Sequence, residues 1–419
     1  MPPRRRAPTV KALCLEDYLK YGENLRYTPQ ALYAHMQSVP DLPQALGAPA
    51  DAGQASIDIY GPALYMNGQS EHIGRDEYIP LILAKLKDPR LPINGMQIWR
   101  QNLLEVRNPP LLIKAISSFP NVCVLNLHRV ECSEDQFISV VRSYPNLANL
   151  EIEDISIREY ESGNSAHADP VEAISVSASE IRDGQRGPEI EQISIYVDTT
   201  TGWVFLDLFA SRRSPVALRN LAKLSLRHRS DVICNDNNFV RRLSRFINLC
   251  PSLWEIDIDS FNIGKFVCRE LLFRTNWIFP SYTVSTLEPL DLGPTIHHVH
   301  FCIFITGNFG TNMMLDWWAS TLNQLKRPRH LSRVTIEVEF DIENIPRAVW
   351  NECPTDVPGW AALDQALTRP QLKVYEINVE TVESYRARKG FSMSAMATWI
   401  STVCLPKTKK KYGRNFVIN

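Results

Sequence analysis

Along much of the chain, apolar residues recur in one spacing, apolar-x-x-apolar-x-apolar. It is clearest in Phe119-Pro120-Asn121-Val122-Cys123-Val124-Leu125-Asn126-Leu127 and in Tyr144-Pro145-Asn146-Leu147-Ala148-Asn149-Leu150-Glu151-Ile152, two segments offset by 25 residues. Further copies are Ile93/Met96/Ile98, Ile190/Ile193/Ile195, Leu221/Leu224/Leu226, Leu253/Ile256/Ile258, Ile296/Val299/Phe301, Leu331/Val334/Ile336 and Leu372/Tyr375/Ile377. One copy arises easily by chance. Nine copies, starting 25 to 43 residues apart, do not. Seven are preceded by a proline (Pro120, Pro145, Pro188, Pro251, Pro294, Pro328, Pro370). Proline cannot donate to a sheet ladder and suits the turn that enters a strand. The last two apolar positions of each copy alternate with polar ones, the pattern of a strand buried on one face.

The intervals carry helical periodicity. Ser133-Glu134-Asp135-Gln136 has the form of a capping box, followed by Phe137, Val140 and Val141 on one face. Phe239, Leu243, Phe246 and Ile247 mark a second helix. Met314, Leu315, Trp318, Leu322 and Leu325 mark a third, and Trp360, Leu363 and Leu367 a fourth. A strand, turn and helix of this size cannot bury its inward apolar residues alone. Stacking such units gives an α/β fold, an irregular leucine-rich-repeat solenoid with parallel strands on the concave face and helices on the convex face. Burying three Leu-sized side chains per unit contributes roughly 5–9 kcal/mol before chain entropy is subtracted.

The uneven spacing predicts surface excursions at 158–189 and 276–294, both rich in turn residues. Residues 1–90 read as a helical N-terminal cap, with Thr28 and Pro29 opening a helix and another over Tyr78 to Leu86, plus a Pro/Ala/Gly-rich linker. Residues 91–405 are the repeat array, whose end a helix at 391–405 covers. Residues 406–419 are a basic tail.

Composition narrows the class. Lys plus Arg total 45 against 46 for Asp plus Glu, a net charge of -1. This balance argues against a dedicated nucleic-acid binder. No apolar run reaches the ~18 residues of a membrane span. The nine cysteines are scattered and odd in number, which suits reduced thiols in a cytoplasmic or nuclear protein.

The C-terminal half adds a more specific likeness. Asp316-Trp317-Trp318-Ala319-Ser320-Thr321-Leu322 leads to His330-Leu331-Ser332-Arg333-Val334-Thr335-Ile336-Glu337-Val338. Trp360-Ala361-Ala362-Leu363-Asp364-Gln365-Ala366-Leu367 then leads to Leu372-Lys373-Val374-Tyr375-Glu376-Ile377. This succession resembles a large fungal family of F-box and leucine-rich-repeat-like proteins, over roughly residues 93–385. The resemblance implies substrate recognition for a ubiquitin ligase, with a cullin-linking adaptor as one partner. The F-box itself is not recognisable. Pro40-Asp41-Leu42-Pro43-Gln44 supplies a Leu-Pro pair, but the sequence after it is rich in Pro, Ala and Gly.

No nucleophile-elbow, zinc-protease, phosphate-loop or kinase motif is present, so no catalytic residue and no cofactor is assigned. His297-His298-Val299-His300-Phe301-Cys302 places His298, His300 and Cys302 on one strand face. Ligands two residues apart on a flat strand sit ~6–7 Å apart, too wide for shared zinc bonds of ~2 Å, so no metal site is assigned either.

The positions between and just after each inward pair define the candidate binding surface. On the concave face these include Trp99, His128, Glu151, Glu153, Tyr196, Arg227, Asp257, Asp259, His300, Glu337 and Glu376, together with Gln97, Asn126, Ser194, Ser225, Cys302, Thr335 and Asn378. Carboxylates outnumber the one arginine, which favours a protein partner with a basic segment. The expected function is a non-enzymatic protein-interaction module. A stand-alone scaffold without a ligase role, and an enzyme of unrecognised type, remain the alternatives.

Overall fold

The computed structural model describes residues 13–14, 33, 37, 55–60, 78–87, 93–99, 102–104, 108–158, 184, 186–197, 202–228, 237–259, 287–305, 312–326, 328–340, 359–383 and 393–419. The chain is mixed α/β and divides into two compact units. The first comprises Met1–Glu191 with Ser211–Ala217, and the second comprises Gln192–Ala210 with Leu218–Asn419.

In the first unit, strands β1 (Leu13–Cys14), β2 (Ala55–Tyr60), β3 (Ile93–Trp99), β4 (Val124–His128) and β6 (Asn149–Glu153) lie side by side in chain order. All pair in parallel. A short parallel pair, β5 (Glu131–Cys132) with β7 (Ser156–Ile157), stands beside them. Helices α1 (Tyr78–Leu86), α2 (Pro109–Ile116) and α3 (Glu134–Arg142) form the intervals.

The expected inward pairs are where the pattern put them. Met96, Leu125 and Leu150 are in register, as are Ile98, Leu127 and Ile152, and all six are buried. The capping box of α3 forms, with Gln136 N donating to Ser133 Oγ at 3.1 Å and Ser133 N donating to Gln136 Oε1 at 2.9 Å. The aromatic-Pro-Asn motif joins successive repeats. The buried Tyr144 hydroxyl donates to the Ile116 carbonyl at 3.0 Å, and the Asn146 amide donates to the Pro120 carbonyl at 3.0 Å. Arg129 and Asp154, one step past β4 and β6, share a left-handed backbone at φ 52° and 51°. Two non-glycine residues in that uncommon conformation, 25 positions apart, are the repeat written in the backbone.

In the second unit, β8 (Gln192–Val197), β9 (Lys223–His228), β10 (Glu255–Asp259), β11 (His298–Ile305), β12 (Arg333–Phe340), β13 (Glu376–Glu383) and β14 (Phe416–Ile418) are again parallel and in chain order. The strand order is linear. Helices α4 (Gly202–Phe209), α5 (Asn237–Leu249), α6 (Asn312–Asn323), α7 (Trp360–Thr368), α8 (Met393–Trp399, continuing as a π-helical turn Ile400–Cys404) and α9 (Pro406–Tyr412) accompany them. Ile193, Leu224, Ile256, Val299, Val334 and Ile377 form one buried row across six strands, and Trp318 of α6 stacks on Phe301 at 4.5 Å.

Three expectations need revision. Tyr375 is not an inward residue: it is 75% exposed, and the inward pair of β13 is Ile377 and Val379. The turn after Leu372 is two residues longer than in the other copies, so the pattern match fell one strand position pair too early. Second, the stretch expected to be cap and linker contains β2, which pairs with β3. Its Ser56-Ile57-Asp58-Ile59 alternates as a strand should. Third, the basic tail is folded. Asp364, buried on α7, accepts from Lys407 N at 3.1 Å, Thr408 N at 2.8 Å and Thr408 Oγ1 at 2.7 Å. It thereby caps α9, whose Lys409, Lys410 and Lys411 fall in the last turn, where the helix dipole favours cations. The proposed Thr28 helix start and most of both long excursions lie outside the described residues.

Candidate functional site

Alternation on parallel strands fixes which side chains share the face opposite the helices. In the second unit, that face carries cross-strand rows. The first row runs Gln192, Lys223, Glu255, His298, Arg333, Glu376. The second runs Ser194, Ser225, Asp257, His300, Thr335, Asn378. Strands lie ~4.8 Å apart, so neighbours within a row touch.

Both rows are chains of opposite charge and hydrogen bonds. In the first, Lys223 Nζ is 2.6 Å from Glu255, His298 Nδ1 is 3.4 Å from the same carboxylate, and Arg333 pairs with Glu376 at 2.8 Å. His298 Nε2 also meets Thr335 Oγ1 at 3.0 Å. The His298 hydrogen bond and the Lys223 charge outweigh burial and hold Glu255 at about 2, well below the usual carboxylate range.

In the second row, Ser225 Oγ donates to Asp257 Oδ2 at 2.8 Å, His300 Nδ1 pairs with Asp257 Oδ1 at 3.0 Å, and His300 Nε2 lies 3.5 Å from Glu337. Burial alone pushes the His300 imidazole down. The two flanking carboxylates overcome it and raise the ring to about 10. Burial pushes the Asp257 carboxyl up, but His300, Ser225 and Arg227 outweigh it and hold Asp257 low. His300 is therefore an imidazolium shared by two carboxylates throughout the neutral range.

Tyr196 and Arg227 complete the surface. The guanidinium lies 5.1 Å from the Tyr196 ring centroid and 3.8 Å from Asp257. Arg227 is exposed and Tyr196 half-buried. Asp259 is in register with Arg227, at the end of β10. Its side chain falls outside the described residues.

The first unit carries the remaining predicted residues. His128, nearly buried, pairs with Glu153 at 2.8 Å, and Glu151 is half-buried in register with Asn126. Trp99 ends β3 in register with His128. Its side chain also lies outside the described residues.

The expected surplus of carboxylates on these strands needs correction. The carboxylates at Asp257, Glu337 and Glu376 are each matched by a cation on a neighbouring strand, and Glu153 meets the His128 ring. Lys223 and Glu255 were missed, and His298 was weighed only as a metal ligand, because they precede the inward pair by one residue. Extending the alternation one step toward the turn would have found them.

The chemistry of the second row is specific. A serine hydrolase needs imidazole between the hydroxyl and the carboxylate. Here the carboxylate of Asp257 stands between Ser225 and His300, and a ring held near 10 is a poor base at neutral pH. A metal would need several donors converging on one point, whereas His300 spends its two nitrogens on opposite neighbours. Among the described residues, no group of three or more His, Cys, Asp or Glu side chains is placed to hold a metal ion.

No known protein family and no characterised protein compared with this chain gives a match. Among the described residues, no helix is long and apolar enough to cross a membrane.

Proposed function

We propose that the chain is an irregular leucine-rich-repeat solenoid that acts as a non-enzymatic protein-interaction module, binding a protein partner on its helix-free sheet face. The observation that carries the reading is strand order. In each unit, every strand of the sheet neighbours the one before it in the chain and runs parallel to it. A doubly wound enzyme fold reverses direction midway and opens a crevice at the switch point. A repeat that steps one way makes no such crevice and leaves a broad exposed face.

On that face the Tyr196–Arg227 pair has the character of an interface anchor, since aromatic residues and arginine carry most binding energy. The trio Asp257, His300 and Glu337 keeps one net negative charge, and Glu380, in register with Glu337, adds another. The β12–β13 half of the face therefore suits a basic segment. The likeness to F-box proteins supports a narrower form, substrate recognition for a ubiquitin ligase. A stand-alone scaffold is the broader form.

Affinity capture with the full chain, repeated with Arg227→Glu and with Glu337→Lys/Glu380→Lys, tests the reading. Partners retained by the wild-type chain and lost by the variants at unchanged melting temperature support it. Identical partner sets from all three chains overturn it. Recovery of the cullin-linking adaptor decides between the ligase and scaffold forms.

A further inference from the structure

The turns that enter the strands of the second unit line up as an edge distinct from the face just described. Backbone hydrogen bonds set its row: Trp254 N donates to Ala222 O at 3.0 Å, His297 N to Trp254 O at 2.9 Å, Ser332 N to His297 O at 2.8 Å, and Tyr375 N to Ser332 O at 2.7 Å. The residues just before these positions, Leu253, Ile296, Leu331 and Val374, are buried and anchor the turns. The row itself stays outside the core. Trp254 and Tyr375 are 46% and 75% exposed. His297 is exposed as well, and the exposed His330 sets its ring 6.0 Å from that of His297. Four adjacent turns thus carry one ring each, about 14 Å from first to last at ~4.8 Å per strand.

Two properties of the row define what it can hold. Around Trp254 and His297 it is uncharged: residues 250–254 and 293–297 contain no Asp, Glu, Lys or Arg. A charged partner segment gains nothing there, and a nucleic-acid strand would find no cations beside its stacked bases. The rings also carry donors with nothing in the chain to bond. Among the described residues, no acceptor meets the Trp254 indole N–H or the Tyr375 hydroxyl. In the free chain both face water. The edge therefore offers apolar ring faces and open hydrogen-bond donors, on turns that buried neighbours hold in place.

A proline-rich segment supplies the complement. In the polyproline II conformation it makes no internal hydrogen bonds, so its carbonyls are open acceptors, and proline brings no N–H to compete. Its rings pack on aromatic side chains, and its stiffness lowers the cost of ordering it. An α-helix has already spent its carbonyls internally. The pitch matches as well. Three residues at 3.1 Å make a turn of about 9.3 Å, and two strand spacings are about 9.6 Å. Prolines three residues apart thus meet every second ring of the row, either Trp254 and His330 or His297 and Tyr375. We infer that the strand-entry edge of the second unit docks a proline-rich segment of a partner protein in the polyproline II conformation, with Trp254 and Tyr375 as its outer anchors. This goes beyond the protein-binding reading of the sheet face and uses a different surface.

The test is fluorescence anisotropy of the full chain with a labelled decaproline peptide, about 31 Å long and so able to span the row. A peptide of equal length made of alternating Ala and Gln is the control. Decaproline should bind saturably and the control should not. Trp254→Ala and Tyr375→Ala should each weaken binding at least about tenfold at an unchanged melting temperature. Tyr375→Phe keeps the ring and removes the donor, so it should weaken binding roughly 2- to 10-fold. Leu111→Ala, which removes an exposed apolar side chain of the first unit, should leave binding intact. The inference is overturned by absence of decaproline binding, by equal affinity for the Ala/Gln peptide, or by binding indifferent to Trp254 and Tyr375.

Discussion

Replacing His300 with Gln removes a cation from between two carboxylates while keeping a side chain of similar size that still donates a hydrogen bond. The ring is raised from 6.5 to about 10. At 1.36 kcal/mol per tenfold change, that is about 4–5 kcal/mol of preference for the charged form in the folded state. A second route gives the same size, because removing one partner of a buried ion pair costs about 3–5 kcal/mol. With about 4 kcal/mol at stake and roughly 2–4 °C per kcal/mol for a unit of this size, the melting temperature at pH 6 should fall by about 8–16 °C.

The pH dependence gives the sharper test. A group whose folded pKa is raised contributes fully below its unfolded value and loses that contribution as pH climbs to the folded one. The wild-type advantage over His300→Gln should therefore be whole below pH 6.5 and fade toward pH 10. The two chains differ at one position only, so the difference isolates the ring. Circular dichroism melts from pH 6 to 10 measure it. Two parallel curves, offset by a constant, would refute the shared-imidazolium account of this face.

Three further substitutions probe other joints. Asp364→Ala strips three acceptor contacts from the start of α9, so it should cost about 2–4 kcal/mol and speed tryptic cleavage at Lys407–Lys411. Cleavage at the wild-type rate would contradict the cap. Gly187 has φ +144°, and a Cβ there would stand 2.1 Å from the Pro215 carbonyl oxygen. Gly187→Ala should destabilise the first unit by more than about 2 kcal/mol in a urea titration, and a neutral result would show that this close approach is not required. Tyr144→Phe deletes only the hydroxyl bound to Ile116 O, and a loss of about 1–2 kcal/mol is expected in the same assay. A larger loss would mean that the ring itself had shifted.

The repeat was legible because its signal is local. Inward pairs such as Leu125/Leu127 and Ile256/Ile258 alternate with polar residues over five positions, and the capping box of α3 needs only Ser133 and Gln136. The pattern failed where chain length between landmarks changed. Leu372 sets a turn two residues longer than its counterparts, so Tyr375 matched a template position that the backbone assigns to Ile377. The C-terminal lysines read as a solvated tail because their anchor, Asp364, lies far back in the sequence.

What the sequence determined by itself is the strand-and-helix repeat, its inward residues and the identity of the polar face, since each follows from alternation within a few residues. Only the tertiary structure decided what those polar residues do to one another. Glu255 meets Lys223 and His298, and Asp257 meets Ser225 and His300, across separations of 32 and 43 residues. Parallel pairing brings such residues to ~4.8 Å, and at that distance an excess of carboxylates becomes a set of matched charges.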